Sequence, residues 1–142
     1  MLGIMRESHA PVVLLHDVVH PFVTADLAHR VIDVARRRGA AVAAVTSGSS
    51  VYRRDGEGRL ARLAPGTTWS ARKPFAFHRS AMLRGLESYT DSVDEAGLLD
   101  LLQAGGQGLE LVPTEAWNIK LTTSDDLRLA EIIEHGLRPG LH

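Results

Sequence analysis

An apolar run, a helix signal and a second apolar run near the start of the chain restrict the fold most. Val12–Leu15 is short, uninterrupted and branched, which is typical of a strand buried in a parallel sheet. A helix follows, with Thr24 as its N-cap and Gly39 as its stop. Ala41–Val45 is a second buried strand. A strand–helix–strand unit implies a right-handed crossover, so we predict an α/β fold with a mostly parallel sheet.

The next segment, residues 47–68, is polar and has a strong turn signal at Asp55–Gly58. We predict a protruding two-stranded hairpin here, called the hairpin arm below. A lone hairpin is marginally stable in water, so we expect it to rest against another surface. A return strand follows over Trp69–Phe77, in which Pro74 indicates an edge position or a bend.

Three helices and one strand complete the predicted layout. They are helices over His78–Glu87 and Asp94–Gln103, a strand over Leu109–Val112 and a last helix capped by Ser124. The apolar residues predicted to face inward in the last helix are Leu127, Leu129, Ala130, Ile132 and Ile133. We predict a single domain over residues 1–142, built as a three-layer sandwich around a partial sheet.

Composition excludes several classes of protein and site. With 16 basic and 17 acidic residues, the chain has no global attraction to nucleic acid or membranes. The absence of cysteine excludes disulfides and thiolate metal sites, and the seven histidines do not form a metal-binding pair. No apolar run approaches the roughly 18–20 residues of a membrane span. The first ten residues do not resemble a secretory signal, so we expect a cytoplasmic protein.

Two charged residues stand where ligands of α/β sheets bind. Asp17 follows the first strand, where a carboxylate can coordinate Mg²⁺ or orient a phosphate, or can simply cap the loop before the helix. Lys120 is a compact charge suited to phosphate oxygens, although most lysines are solvated at the surface. A carboxylate and a lysine at two strand ends could together hold a metal-bound phosphate, as a nucleotidyltransferase must.

Two motifs carry a resemblance to a known family. The segment Leu15-His16-Asp17-x-x-x-Pro21-Phe22-Val23-Thr24 resembles the strand-end motif of the methylerythritol-phosphate cytidylyltransferases of isoprenoid synthesis. The segment Asn118-Ile119-Lys120-Leu121-Thr122-Thr123-x-x-Asp126-Leu127 is similar to the C-terminal motif of that family. The resemblance runs from about Pro11 to Glu134 and corresponds to the later part of such an enzyme.

The resemblance implies a fold, a reaction and a partner. The fold would be a Rossmann-like nucleotidyltransferase sheet with a hairpin arm that clasps a second subunit, giving a homodimer. The reaction would join CTP and a sugar-alcohol phosphate into a CDP-sugar alcohol and diphosphate, with Mg²⁺ as a candidate cofactor. A ribitol-phosphate substrate fits the motifs almost as well.

The resemblance also implies site residues, some of them altered. Asp17 and Lys120 match the family pattern and would be catalytic. Asp17 would also be the candidate Mg²⁺ ligand. His20, Ser50 and Lys73 stand near or at substrate-binding positions, but the family has arginine at position 20, Asp-Thr at 49–50 and threonine at 73. A phosphate site on His20 would be weaker and pH-dependent. The alternatives are a loop histidine and a pocket that has been rebuilt or abandoned.

Three interpretations of the function remain open. The sequence lacks the Gly-x-Gly-x-Arg loop that cradles CTP in the family, and Gly105–Gly108 follows a helix, as a tight turn would. The chain could be a cytidylyltransferase that is incompetent alone, which Asp17 and Lys120 favour. It could be a degenerate, non-catalytic dimeric binding or scaffold module, which the substitutions favour. It could also have been cut short by a misassigned start codon.

Overall fold

A computed structural model describes residues 7–87 and 95–137. The strands within these residues are β1 (Val12–Leu15), β2 (Ala40–Thr46), β3 (Tyr52–Arg54), β4 (Leu60–Arg62), β5 (Trp69–His78) and β6 (Glu110–Pro113). The helices are α1 (Ala25–Arg38), α2 (Arg79–Glu87), α3 (Glu95–Ala104) and α4 (Ser124–Ile132), which continues into a π-helical turn over Ile133–Leu137. Asp94, where a helix was predicted to begin, lies outside the described residues.

The main sheet has the order β1-β5-β2-β6. Strands β1, β2 and β6 point the same way, because β2 pairs parallel with β6 while β5 runs antiparallel to both β1 and β2. The α/β class is confirmed, and the strand–helix–strand unit is present with β5 inserted between its two strands. The carboxyl ends of β1, β2 and β6 therefore meet at one edge, where a ligand of such a sheet binds.

Strand β5 lies inside the sheet, so of the two alternatives predicted from Pro74, an edge position or a bend, the edge position is wrong and a local irregularity is present. The pairing with β2 shifts register between Val42 and Ala44, and Val42 opposes Phe75 while Ala44 opposes Ala71. Pro74 sits within this irregularity, beyond the last residue pair with β1. Proline is tolerated at such a bulge because its missing N–H is not needed by the ladder.

Helices cover both faces of the sheet, which confirms the three-layer sandwich. On one face, α1 buries its apolar stripe against β2, β5 and β6 through Leu27, Val31, Ala35, Ala41, Ala43, Ala76 and Val112. On the other face, α2 and α3 pack on the sheet through Ala40, Val42, Phe75, Phe77, Ala81, Met82, Leu101 and Leu102. Each large buried side chain stabilises the fold by roughly 1.5–3 kcal/mol, so these two layers fix the sheet that carries the site.

Both ends of α1 follow the sequence signals. The Thr24 hydroxyl accepts a hydrogen bond from the Leu27 N–H at 3.2 Å, as an N-cap does. Gly39 ends the helix with φ 99°, a conformation that favours glycine. A Cβ there would collide with the side chain of Gln107, whose Nε2 donates to the Arg38 carbonyl at 2.8 Å.

Helix α4 differs from its prediction in two ways. Its N-cap is Thr123, one residue before Ser124, because Thr123 forms a reciprocal capping box with Asp126. Leu127, Leu129 and Ile132 are exposed, and only Ile133 is fully buried among the residues predicted to face inward. Helical spacing identifies an apolar face, but it does not say that another element covers that face.

Candidate active site

The loop after β1 brings two predicted site residues into contact. His20 donates its backbone N–H to the Asp17 carbonyl at 3.3 Å, which closes a turn over residues 17–20. Its Nδ1 lies 2.6 Å from Oδ1 of Asp17. The His20 side chain is only 4% exposed, whereas Asp17 is 29% exposed. The imidazole is therefore packed inside the loop, and the carboxylate faces outward.

A backbone hydrogen bond joins this loop to the one that carries Lys120. The Leu121 N–H donates to the Val19 carbonyl at 2.7 Å. Lys120 precedes Leu121 directly, and its side chain is exposed. Two segments a hundred residues apart in sequence thus meet at the carboxyl edge of the sheet.

Asn118 fastens the second loop to β5. It is fully buried, and its Nδ2 donates to the Lys73 carbonyl at 2.7 Å and to the Thr114 hydroxyl at 3.4 Å. The Asn118 side chain thus fixes the backbone of this loop against β5. Lys73 lies two residues before Phe75, the residue that pairs with Leu15, so it stands just past the end of β1. The backbone of Lys73 thus belongs to the same edge as Asp17.

The far end of the Lys120 loop is held by Asp126. This carboxylate accepts hydrogen bonds from the Thr122 N–H at 2.8 Å, the Thr122 hydroxyl at 3.0 Å and the Thr123 N–H at 2.8 Å. These donors, the Thr122 N–H first, lower the pKa of Asp126 to about 2. Thr122 and Thr123 therefore support the turn before α4.

Ser50 lies apart from these contacts. It is exposed at the base of the hairpin arm, where residues 47–51, 62–66 and Thr68 line a pocket of about 100 Å³. The hydrogen bonds that join the Asp17 and Lys120 loops do not involve Ser50. In the hairpin arm, β3 and β4 form a separate two-stranded sheet whose strand residues are all exposed.

Asp17 is the predicted metal ligand at this edge. Within residues 7–87 and 95–137, no group of three or more histidine, aspartate or glutamate side chains is placed to hold a metal. Mg²⁺ often uses one or two carboxylates together with substrate phosphates and water. The half-exposed Asp17 beside a cationic loop fits an ion of that kind, one that binds with a phosphate ligand.

The model of one protein family, 2-C-methyl-D-erythritol 4-phosphate cytidylyltransferase (IspD), matches residues 2–135. The chain belongs to this family. A family enzyme from Syntrophus aciditrophicus is 40% identical over 125 residues, which cover 84% of this chain and 52% of the relative. A bifunctional enzyme IspD/IspF from Anaeromyxobacter dehalogenans is 35% identical over 137 residues, covering 91% of this chain and 35% of that protein.

Solved structures agree with the family assignment. The cytidylyltransferase from Thermus thermophilus superposes with a TM-score of 0.74 at 29% identity, covering 93% of this chain and 66% of that one. A synthase structure from Anaerococcus prevotii, at 22% identity, shares the fold with a TM-score of 0.78 over 94% of this chain and 64% of that one. The chain spans about half the length of the curated IspD relatives that match it. None of the helices in the described part of the chain is long and apolar enough to cross a membrane.

Sequence reasoning missed two features of this site. It treated Asp17 and His20 as separate candidates, although their three-residue spacing within one turn allows direct contact. It also did not anticipate the bond from Leu121 to Val19, because a backbone contact between distant loops leaves no side-chain signature.

Proposed function

We propose that this edge of the sheet forms the sugar-phosphate side of a cytidylyltransferase site. The reaction joins CTP and 2-C-methyl-D-erythritol 4-phosphate into a CDP-sugar alcohol and releases diphosphate. Asp17 holds Mg²⁺ or orients the phosphate, and Lys120 offsets its negative charge. Lys73 and Ser50 are the further substrate-binding residues of the proposal. Family membership and the convergence of two family motifs support it.

The chemistry of this transfer suits the residues that the chain offers. A phosphate oxygen of the sugar alcohol attacks the α-phosphorus of CTP, and the bond to the β-phosphate breaks with its electron pair leaving on diphosphate. The nucleophile is already an anion, so no general base is required. The barrier is mainly repulsion between two anions, which positioned cations lower. Bound Mg²⁺ would supply further positive charge against the phosphates.

Lys120 is the residue best suited to lower that barrier. Its loop is fixed at both ends, by Asn118 on β5 and by Asp126 at the start of α4. The Leu121 N–H holds the loop against Val19 at 2.7 Å, and this single contact carries the proposal. A cation on a fixed loop loses little conformational entropy when it meets a phosphate.

A second candidate function is a non-catalytic module that binds ligand or a second copy of the chain. The buried position of His20 and the separation of Ser50 from the other residues favour it. The homodimer through the hairpin arm belongs to both proposals, and so does a cytoplasmic location.

The decisive experiment is titration of the 142-residue chain with 2-C-methyl-D-erythritol 4-phosphate and Mg²⁺ by calorimetry. Binding is the informative readout because these residues contain no Gly-x-Gly-x-Arg segment to cradle CTP. We expect Lys120→Met to weaken binding about tenfold or more, the loss of one charge-assisted contact. Arg128→Met removes an exposed cation on α4 and should leave affinity within about twofold. Absence of binding by the unmodified chain would support the non-catalytic module.

A further inference from the structure

We propose that His20 acts through Asp17 as a positioning residue and does not bind substrate phosphate itself. This inference rests on the proposed function, since it assigns a role within the same site. It replaces the direct phosphate contact predicted for His20 from the sequence.

The His20 side chain is too deeply buried to bind a phosphate. The His20 side chain is 4% exposed, and Phe22 two residues later is also buried. A ring enclosed in this way cannot extend into solvent to meet a phosphate. Asp17, at 29% exposure, is the member of the pair that a ligand can reach.

The hydrogen bond between the two side chains runs from His20 to Asp17. An ionised carboxylate can only accept hydrogen bonds. The 2.6 Å contact between Nδ1 and Oδ1 therefore requires that Nδ1 carries the proton and donates it. The imidazole occupies one carboxylate oxygen, and Oδ2 of Asp17 is left for a ligand.

The turn over residues 17–20 fixes both His20 and Asp17. The His20 N–H donates to the Asp17 carbonyl, and the Val19 carbonyl between them accepts from Leu121. The backbone thus holds the imidazole, and the imidazole holds the carboxylate. Histidine–carboxylate partners of this kind orient metal-binding groups, and their loss typically lowers metal affinity about 10–100-fold. The ligand that suits the remaining oxygen is a hard divalent cation bound with phosphate.

The test is Mn²⁺ titration of the ¹⁵N-labelled chain with inorganic phosphate present, following paramagnetic broadening of the amides of residues 16–20. His20→Asn keeps an N–H donor near the position of Nδ1, whereas His20→Gln moves it outward and His20→Leu removes it. We expect the His20→Gln and His20→Leu variants to bind Mn²⁺ about tenfold or more weakly than the unmodified chain. The His20→Asn variant should keep its Mn²⁺ affinity within about threefold. His29→Leu, at an exposed position on α1, is the matched control.

Each outcome decides the proposal. If the Leu and Gln variants bind Mn²⁺ as the unmodified chain does, while Asp17→Asn loses binding, His20 has no positioning role and the proposed function stands. If Asp17→Asn binds Mn²⁺ unchanged, Asp17 is not a metal ligand, and the positioning role of His20 fails, while the proposed function keeps Asp17 only as a residue that orients the phosphate. If the His20→Leu variant binds Mn²⁺ more tightly than the His20→Asn variant, the imidazole of His20 serves only for packing. Should the Leu variant not fold, the Asn and Gln pair carries the comparison, with amide dispersion as the check on folding.

Discussion

At the scale of single residues, the loops of the site depend on a few polar side chains with several hydrogen-bonding partners each. Asn118 and Asp126 hold the two ends of the loop that carries Lys120. Together they set the position of the Lys120 backbone.

The first prediction concerns Asn118→Ala. This change removes the buried side chain that donates to the partly buried Lys73 carbonyl, which costs about 1–3 kcal/mol of unfolding free energy. Urea unfolding measures the loss, with Gln103→Ala at an exposed position of α3 as control. A loss no greater than that of the control would show that the contact does not stabilise the fold.

The second prediction concerns Asp126→Asn and pH. The folded pKa of about 2 lies below the usual value of 3.8, so the carboxylate stabilises the fold above 3.8 and loses this effect as the pH falls through 2. Asp126→Asn should lower Tm by a few degrees at neutral pH, and the gap from the unmodified chain should shrink between pH 4 and pH 2. Asp125→Asn, at an exposed neighbouring position, is the matched control.

Much of the site could be predicted at this scale, but not how its parts connect. The motifs around Asp17 and Lys120 were visible in the sequence. The contact between His20 and Asp17 depends on the turn that the backbone takes. The departure of His20 from the family pattern left a weaker phosphate ligand and a loop histidine as alternatives, because a sequence does not show which side of a loop is buried.

At the scale of elements, the helices α2 and α3 approach closely at Gly85. A Cβ at this position would overlap the carbonyl group of Leu101 on α3. The absence of a side chain therefore sets the distance between the two helices that cover one face of the sheet.

The third prediction follows from this approach. Gly85→Ala should push α2 from α3 and destabilise the chain by about 1–3 kcal/mol, because backbone atoms cannot move aside as a flexible side chain can. Gly48→Ala meets nothing within 4 Å and should change stability by less than about 1 kcal/mol. Equal Tm values for the two variants would contradict the close approach.

Strand and helix positions were largely predictable, since local signals determine them. The bounds of β1 and α1 agree with the apolar run and the caps, and the hairpin arm follows from its turn residues. The interior place of β5 was not predictable, because the order of strands depends on pairing between distant segments. The exposure of α4 was missed for the same reason.

At the scale of the whole molecule, the hairpin arm stands apart from the three packed layers. Its cross-strand pairs put Tyr52 and Leu60 on one face, where they are 54% and 67% exposed. Two short exposed strands bury little of their own surface, so a second copy of the chain is the expected support.

The fourth prediction is that the chain is a homodimer at micromolar concentration by light scattering. Tyr52→Ser with Leu60→Ser should shift it to monomer while circular dichroism stays unchanged, since these side chains lie outside the sandwich core. A stronger variant replaces residues 52–62 with a short Gly-Ser loop. Such a loop can span the gap because the ends of the segment are adjacent, with the Leu63 N–H donating to the Val51 carbonyl at 2.8 Å. A monomeric unmodified chain would contradict the prediction.

The strand order has a consequence for synthesis on the ribosome. Val12–Leu15 leaves the exit tunnel well before its hydrogen-bonding partners, Phe75–His78, do. Until then this apolar segment has no strand to join, although the helix after it can already form. Over that interval the nascent chain carries an apolar β-segment without its partner strand, which chaperones at the ribosome would shield until β5 emerges.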